Sequence, residues 1–198
     1  MVQYARPDDD TSVGNWTASS GSDLFDLIDD ASVSNTDYIT VTDDSMGTAE
    51  PITFSLSGVT DPAVGTGHSV VVRAATPDSM SNPVTLNVEL KDGSTSIMDE
   101  DFSIDDTITD YTMDLDGDPS EADDISTGGY ADLTLVITAT DGMTMGTETR
   151  VYDAHFACPD VVVAEVTNTQ SFSLVPGGAM GTSFSLIGDI DVPPKVRI

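Results

Sequence analysis

From residue 52 onward, apolar and polar side chains alternate along the chain with a period of two. Ile52, Phe54 and Leu56 are interleaved with Thr53, Ser55 and Ser57, and Val70, Val72 and Ala74 with Val71 and Arg73. Val84, Leu86, Val88 and Leu90 alternate with Thr85, Asn87, Glu89 and Lys91, the cleanest such run in the chain. Tyr111, Met113 and Leu115 follow, then Leu133, Leu135, Ile137 and Ala139. Tyr152, Ala154 and Phe156 close the series against Val151, Asp153 and His155. Successive side chains of a strand point to opposite faces, so each run predicts a strand with one face on a core and the other in water. Turn formers separate the runs: Asp61-Pro62, Asn82-Pro83, Asp92-Gly93, Asp116-Gly117-Asp118-Pro119, Gly128-Gly129 and Asp141-Gly142. Lys91-Asp92-Gly93-Ser94 reads as a hairpin tip.

One segment follows a different period. Ser22 stands where a helix N-cap would, Asp23 and Asp26 fall in the first turn, and Leu24, Leu27 and Ile28 share one face. The pattern predicts a short helix that plugs the edge of the core, with Asp29-Asp30 opposing its dipole at the far end. Many short strands, frequent turns and one short helix predict an all-β fold, a jelly-roll-like antiparallel β-sandwich with one short N-terminal helix. Residues 1–160 hold the sandwich. The composition changes near Pro159, and residues 161–198 form a C-terminal extension with two open readings. It is either a docking arm, with Lys195 and Arg197 near its end, or further strands with a frayed terminus.

Charge narrows the partners. Thirty-five Asp and Glu face six Lys and Arg, a formal net charge of -29. Self-repulsion on that scale opposes compaction in dilute buffer. Salt relieves it, because the Debye length falls to roughly 3 Å at 1 M. The balance, with only Lys91 and Lys195 as lysines, points to a halophilic or marine source; an acidic mesophilic surface protein is the alternative. So few bases build no patch for phosphate polymers, and no nucleic-acid partner is expected. No apolar run is long enough to cross a bilayer. The segment Met1 to Pro7 has neither the basic leader nor the apolar core of a secretory signal, so synthesis in the cytoplasm is expected.

Candidate chemistry is sparse. Asp114, Asp116 and Asp118, with Gly117 between and Glu121 after, form an oxygen-rich stretch suited to a hard cation such as calcium. Its glycine is in the fourth position rather than the sixth of an EF-hand, and a solvated acidic turn is the competing reading. Asp8-Asp9-Asp10 is read the same way. His68 and His155 have no second histidine or cysteine at zinc spacing beyond the pair His155 and Cys158. Neither a serine elbow nor an activated cysteine is present, and Gly65-Thr66-Gly67 lacks the third glycine of a dinucleotide loop. Paired carboxylates could serve a glycosidase, but aromatics are only 6% of residues, too few for the usual aromatic-lined cleft. No enzyme and no cofactor are expected.

The opening Arg6-Pro7-Asp8-Asp9-Asp10-Thr11-Ser12-Val13-Gly14-Asn15-Trp16-Thr17 resembles a domain family found among minor structural proteins of tailed bacteriophages and related viruses. The likeness continues through Ile28-Asp29-Asp30, where Asp30 stands in place of the usual Glu, and Asp37-Tyr38-Ile39. It extends through Phe54-Ser55-Leu56, Gly67-His68-Ser69-Val70-Val71-Val72-Arg73 and the strand Leu86 to Leu90, to Cys158-Pro159-Asp160. The resemblance spans about residues 4 to 160 and carries no catalytic residues. It implies a jelly-roll or carbohydrate-binding-like sandwich on the surface of a virion. The expected role is a capsid decoration or turret subunit, or a tail appendage. Its partners would be major capsid or tail proteins and further copies of itself in a symmetric homo-oligomer. The alternative is a glycan-binding module that recognises the host surface, with Tyr4, Trp16, Tyr111 and Tyr130 as the candidate stacking rings. A calcium-dependent hydrolase is a third, minor reading.

Overall fold

The computed structural model describes residues 1–42, 49–77, 84–116, 121–126, 128–140 and 147–161. Its strands are β1 (Val2–Ala5), β2 (Pro7–Ser12), β3 (Thr17–Ala18), β4 (Ile39–Thr42), β5 (Ala49–Leu56) and β6 (Ser69–Ala75). β7 (Val84–Asp92), β8 (Thr95–Ile104), β9 (Thr109–Asp114), β10 (Leu133–Thr140) and β11 (Glu148–Pro159) complete them. They form a six-stranded sheet, ordered β3-β4-β11-β6-β9 with β1 also on β11, and a five-stranded sheet ordered β2-β5-β10-β7-β8. Every pairing is antiparallel. Only β3-β4 and β7-β8 are consecutive neighbours within a sheet, so most connections carry the chain from one sheet to the other. The result is an all-β sandwich. Contacts divide the chain into Met1–Val163 and Ala164–Ile198. Both readings of the C-terminal extension lie outside the described residues beyond Val161. No described helix is long and apolar enough to cross a membrane.

The alternation read from the sequence is what closes the sandwich. Ile52, Phe54 and Leu56 of β5 meet Leu133, Leu135 and Ile137 of β10 and Leu86, Val88 and Leu90 of β7 on the inner face of one sheet. Val70, Val72 and Ala74 of β6, with Met113 of β9, line the other. Each fully buried side chain of this size contributes about 1.5–3 kcal/mol of transfer free energy. The hairpin is at the expected place: Asp92 pairs with Thr95, and Gly93 takes φ 58° between them, a left-handed conformation that glycine adopts without a Cβ penalty.

The N-terminal motif turns out to be packing chemistry. Gly14 has φ +53°, and a Cβ there would stand 2.6 Å from the Pro51 carbonyl oxygen. That turn delivers Trp16 into the core, 3% exposed, where its indole N–H donates to the Glu50 carbonyl at 2.9 Å. Asp10 lies in β2 rather than in an acidic turn, and its carboxylate accepts the backbone N–H groups of Leu24 (2.8 Å) and Phe25 (2.9 Å).

Two expectations are corrected here. The short N-terminal helix is a single 3-10 turn, Phe25–Leu27. Ser22 does not cap it; the hydroxyl bonds Asp23 instead, and Asp10 from a neighbouring strand satisfies the free N–H groups. Leu24, Leu27 and Ile28 are nonetheless buried as the pattern demands. On β11 a bulge between Val151 and Asp153 inserts one residue and shifts the parity. Val151, Ala154, Phe156 and Cys158 therefore join the main core cluster, while Tyr152 is buried outside it, against Tyr38.

The sheet edges are guarded. β8 carries Asp99, Glu100 and Asp101, β9 carries Asp110 and Asp114, β2 has two register shifts, and β3 is two residues long. Charge, bulges and brevity all discourage a second chain from pairing there.

Candidate functional site

The bulge on β11 shapes the outer face of the six-stranded sheet. β4 pairs with residues 148–151 of β11 and β1 with residues 156–159, leaving a gap between them on the same side. The segment after the 3-10 turn fills it: Ala154 N–H donates to the Ile28 carbonyl at 3.0 Å. Arg6, immediately after β1, reaches over this gap. Its Nη1 donates to Asp153 Oδ1 at 3.0 Å, and His155 Nδ1 lies 2.9 Å from the other carboxylate oxygen. Asp153 is only 2% exposed, so its charge is held by these two neighbours rather than by water. Tyr4 stands edge-on to His155 with ring centroids 5.4 Å apart, and the Arg6 guanidinium lies 5.7 Å from the Tyr4 ring centre. Tyr4 is 52% exposed.

A second cluster stands further back along β11. Tyr38, just before β4, has the Arg150 guanidinium 4.4 Å from its ring centre and the Tyr152 ring 5.5 Å away. Arg150 Nε and Nη2 each donate to a Glu148 carboxylate oxygen at 2.8 Å, and the Thr40 hydroxyl donates to the same carboxylate at 2.9 Å. The fork holds the Glu148 carboxyl below the usual carboxylate range and raises Arg150 above its ordinary value. Arg73 of β6 pairs across the sheet with Asp153, and donates to Asn35 Oδ1 at 2.9 Å and Asp110 Oδ1 at 2.7 Å. Three of the chain's six Lys and Arg residues thus share one face with tyrosines at both ends. Of the described cations, only Lys91, paired with Glu89, lies on the other sheet.

The residues singled out from the sequence are scattered. Asp114 and Asp116 are neighbours: the Asp116 N–H donates to Asp114 Oδ1 at 3.0 Å. The Asp116 carboxylate accepts the Gly67 and His68 N–H groups, the latter at 3.0 Å, and so fastens the chain entering β6. Asp118 lies outside the described residues, and no group of three or more potential metal-binding His, Cys, Asp or Glu is found among the described ones. Of the four candidate stacking rings, Trp16 and Tyr130 are buried and Tyr111 is packed against Phe102; Tyr4 alone is exposed. Tyr130 donates or accepts across 2.9 Å with His68 Nε2, and burial first, then Asp61, pushes its phenol up to about 12. Cys158 faces the core, and burial, with Asp61 and Asp160, pushes its thiol up to about 11, far from a nucleophile's range. An open hollow of about 370 Å³ between β2 and β10 is lined by Asp8, Asp9, Asp132, Ser55 and Thr134, with no aromatic ring.

Sequence reasoning missed Tyr38 and the three arginines as one surface. Only the cross-strand register joins them, since they come from two strands and two flanking segments. Arg73 and Asp153 both fall on the polar side of their alternating runs, but alternation within a strand does not tell which strands pair.

No family model matches the chain, and no curated protein does. Among solved structures the fold is similar to TmCBM61 in complex with β-1,4-galactotriose, at 6% identity over 62% of this chain and 71% of that one, with a TM-score of 0.42. It is similar to the xylan-binding module CBM15, at 10% identity over 79% and 95% of the two chains, with a TM-score of 0.40. CtCBM11 is similar at 16% identity over 77% and 94%, with a TM-score of 0.37. At these TM-scores the likeness carries no argument about what this chain binds.

Proposed function

We propose that this chain is a non-catalytic glycan-binding domain of jelly-roll type, and that the outer face of its six-stranded sheet is the binding surface. The observation that carries the reading is the array on β11. Exposed Tyr4 with His155, and Tyr38 beneath Arg150, bracket three arginine–carboxylate pairs. Sugars present apolar C–H faces and rings of hydroxyl groups. Tyrosines offer an apolar ring with a polar tip, and guanidinium–carboxylate pairs offer donors and acceptors side by side. Cys158 is buried with a raised pKa, which agrees with binding rather than turnover. The test is retardation of the protein in native gels cast with a panel of soluble polysaccharides. At least one polysaccharide is expected to slow the parent chain. Tyr4→Ala is expected to restore its mobility with an unchanged melting temperature. If no polysaccharide slows the chain, the reading fails.

The setting on a tailed virus particle belongs to the same proposal and is supported by the resemblance over residues 6–17. A glycan-binding domain displayed there would meet the host envelope, and its partners would be capsid or tail proteins. Antibody against the chain should label intact particles; particles without label would remove that setting and leave the glycan reading standing.

A further inference from the structure

Resting on that reading, we infer that the ligand is an uncharged, extended oligosaccharide segment that lies along β11 and engages both tyrosine clusters at once. Charge balance selects the uncharged class. Every described Lys and Arg is already matched: Arg6 to Asp153 at 3.0 Å, Arg73 to Asp110 at 2.7 Å, Lys91 to Glu89 at 3.1 Å and Arg150 to Glu148 at 2.8 Å. An incoming uronate or sulfate would meet guanidiniums already neutralised by adjacent carboxylates that repel it, against a net charge of -29. Neutral hydroxyl groups meet no such repulsion. They take the guanidinium N–H groups left over from each pair as donors, and the outer carboxylate lone pairs as acceptors.

Spacing selects the extended form. Arg150, above Tyr38, and His155, beside Tyr4, are five residues apart on β11. The bulge sets those five residues opposite only four steps of β6, Ala75 to Val71, so at about 3.3 Å per residue the two clusters are separated by about 13 Å, beyond the reach of a single sugar ring. Asp153 with Arg6, and Arg73 with Asp110, occupy the middle of that span, so polar contacts continue between the two ends. A chain of sugars laid along the strand meets a ring, then polar pairs, then a ring.

The experiment is calorimetric titration of the full chain with oligosaccharides of increasing length. A neutral series is compared with a uronate-bearing and a sulfated series, each at low and high salt. Neutral oligomers are expected to bind at least about tenfold more tightly than the corresponding single sugar. Their affinity should be the same at both salt concentrations, since an uncharged ligand has no screening to lose. Tyr4→Ala and Tyr38→Ala should each weaken the oligomer by about tenfold and leave the single sugar little changed. Tighter binding of a charged series, equal affinity at every length, or indifference to Tyr38→Ala would overturn this inference and leave glycan binding intact. Failure of all three series at both salt concentrations would overturn the glycan reading itself.

Discussion

Replacing Arg6 with methionine keeps the side chain's bulk and removes the charge that faces Asp153. The two charged atoms are 3.0 Å apart, with the arginine side chain 20% exposed and the aspartate 2% exposed. A pair near 4 Å is worth about 4 kcal/mol at an effective dielectric of 20. Breaking a fully buried pair by removing one partner costs about 3–5 kcal/mol. Some water reaches Arg6, and His155 remains to bond the carboxylate, so the expected loss is lower, about 2–3 kcal/mol. For a domain of this size that is a fall in Tm of about 5–10 °C. A double-mutant cycle with Asp153→Asn, read by urea unfolding, separates the pair from the two side chains. The coupling should persist at high salt, because a carboxylate this deeply buried is screened little. A loss below about 0.5 kcal/mol, the size of a surface substitution, would refute the claim that Asp153 depends on Arg6.

Asp10→Ala should cost about 0.5–2 kcal/mol, the usual worth of a cap, because the Leu24 and Phe25 N–H groups lose their acceptor; unchanged urea unfolding would refute it. His68 is 1% exposed and its pKa is lowered, first by burial, with Asp116 opposing the shift. The unfolded imidazole therefore takes up a proton at higher pH than the folded one. Stability from this group is complete above about pH 6.5, and falls by up to about 1.4 kcal/mol per pH unit as pH drops from there to the folded pKa. Comparing the slopes of the parent and His68→Gln isolates it from the carboxylates; equal slopes would sink the argument. Cys158 should react with a thiol reagent at neutral pH only when the protein is unfolded, since its thiol is buried and raised to about 11; prompt labelling of the native chain would contradict that placement.

What could be read in advance was whatever period two encodes. β5, β6, β7, β9 and β10 each carry a strict alternation, and the inner residues of each are those the pattern named. Period two does not reveal β8, because the acidic run Asp99 to Asp101 interrupts its apolar residues, Ile97, Met98, Phe102 and Ile104, and a register shift lies opposite Leu90 and Lys91. The sequence predicts a helix where the 3-10 turn stands, because three apolar residues at helical spacing cannot reveal that Asp10, fourteen residues earlier, supplies the cap. The candidate surface was the least visible part. Tyr38 and Arg150 are far apart in sequence, and only the pairing of β4 with β11 brings them together.

The acidic fringe on β8 and β9 is a guard whose strength depends on the medium. Asp99, Glu100, Asp101, Asp110 and Asp114 repel a neighbouring copy only while they are unscreened. Concentrated salt would mute that repulsion and leave both rims as hydrogen-bonding rails, open to growth of the sheet from one molecule into the next.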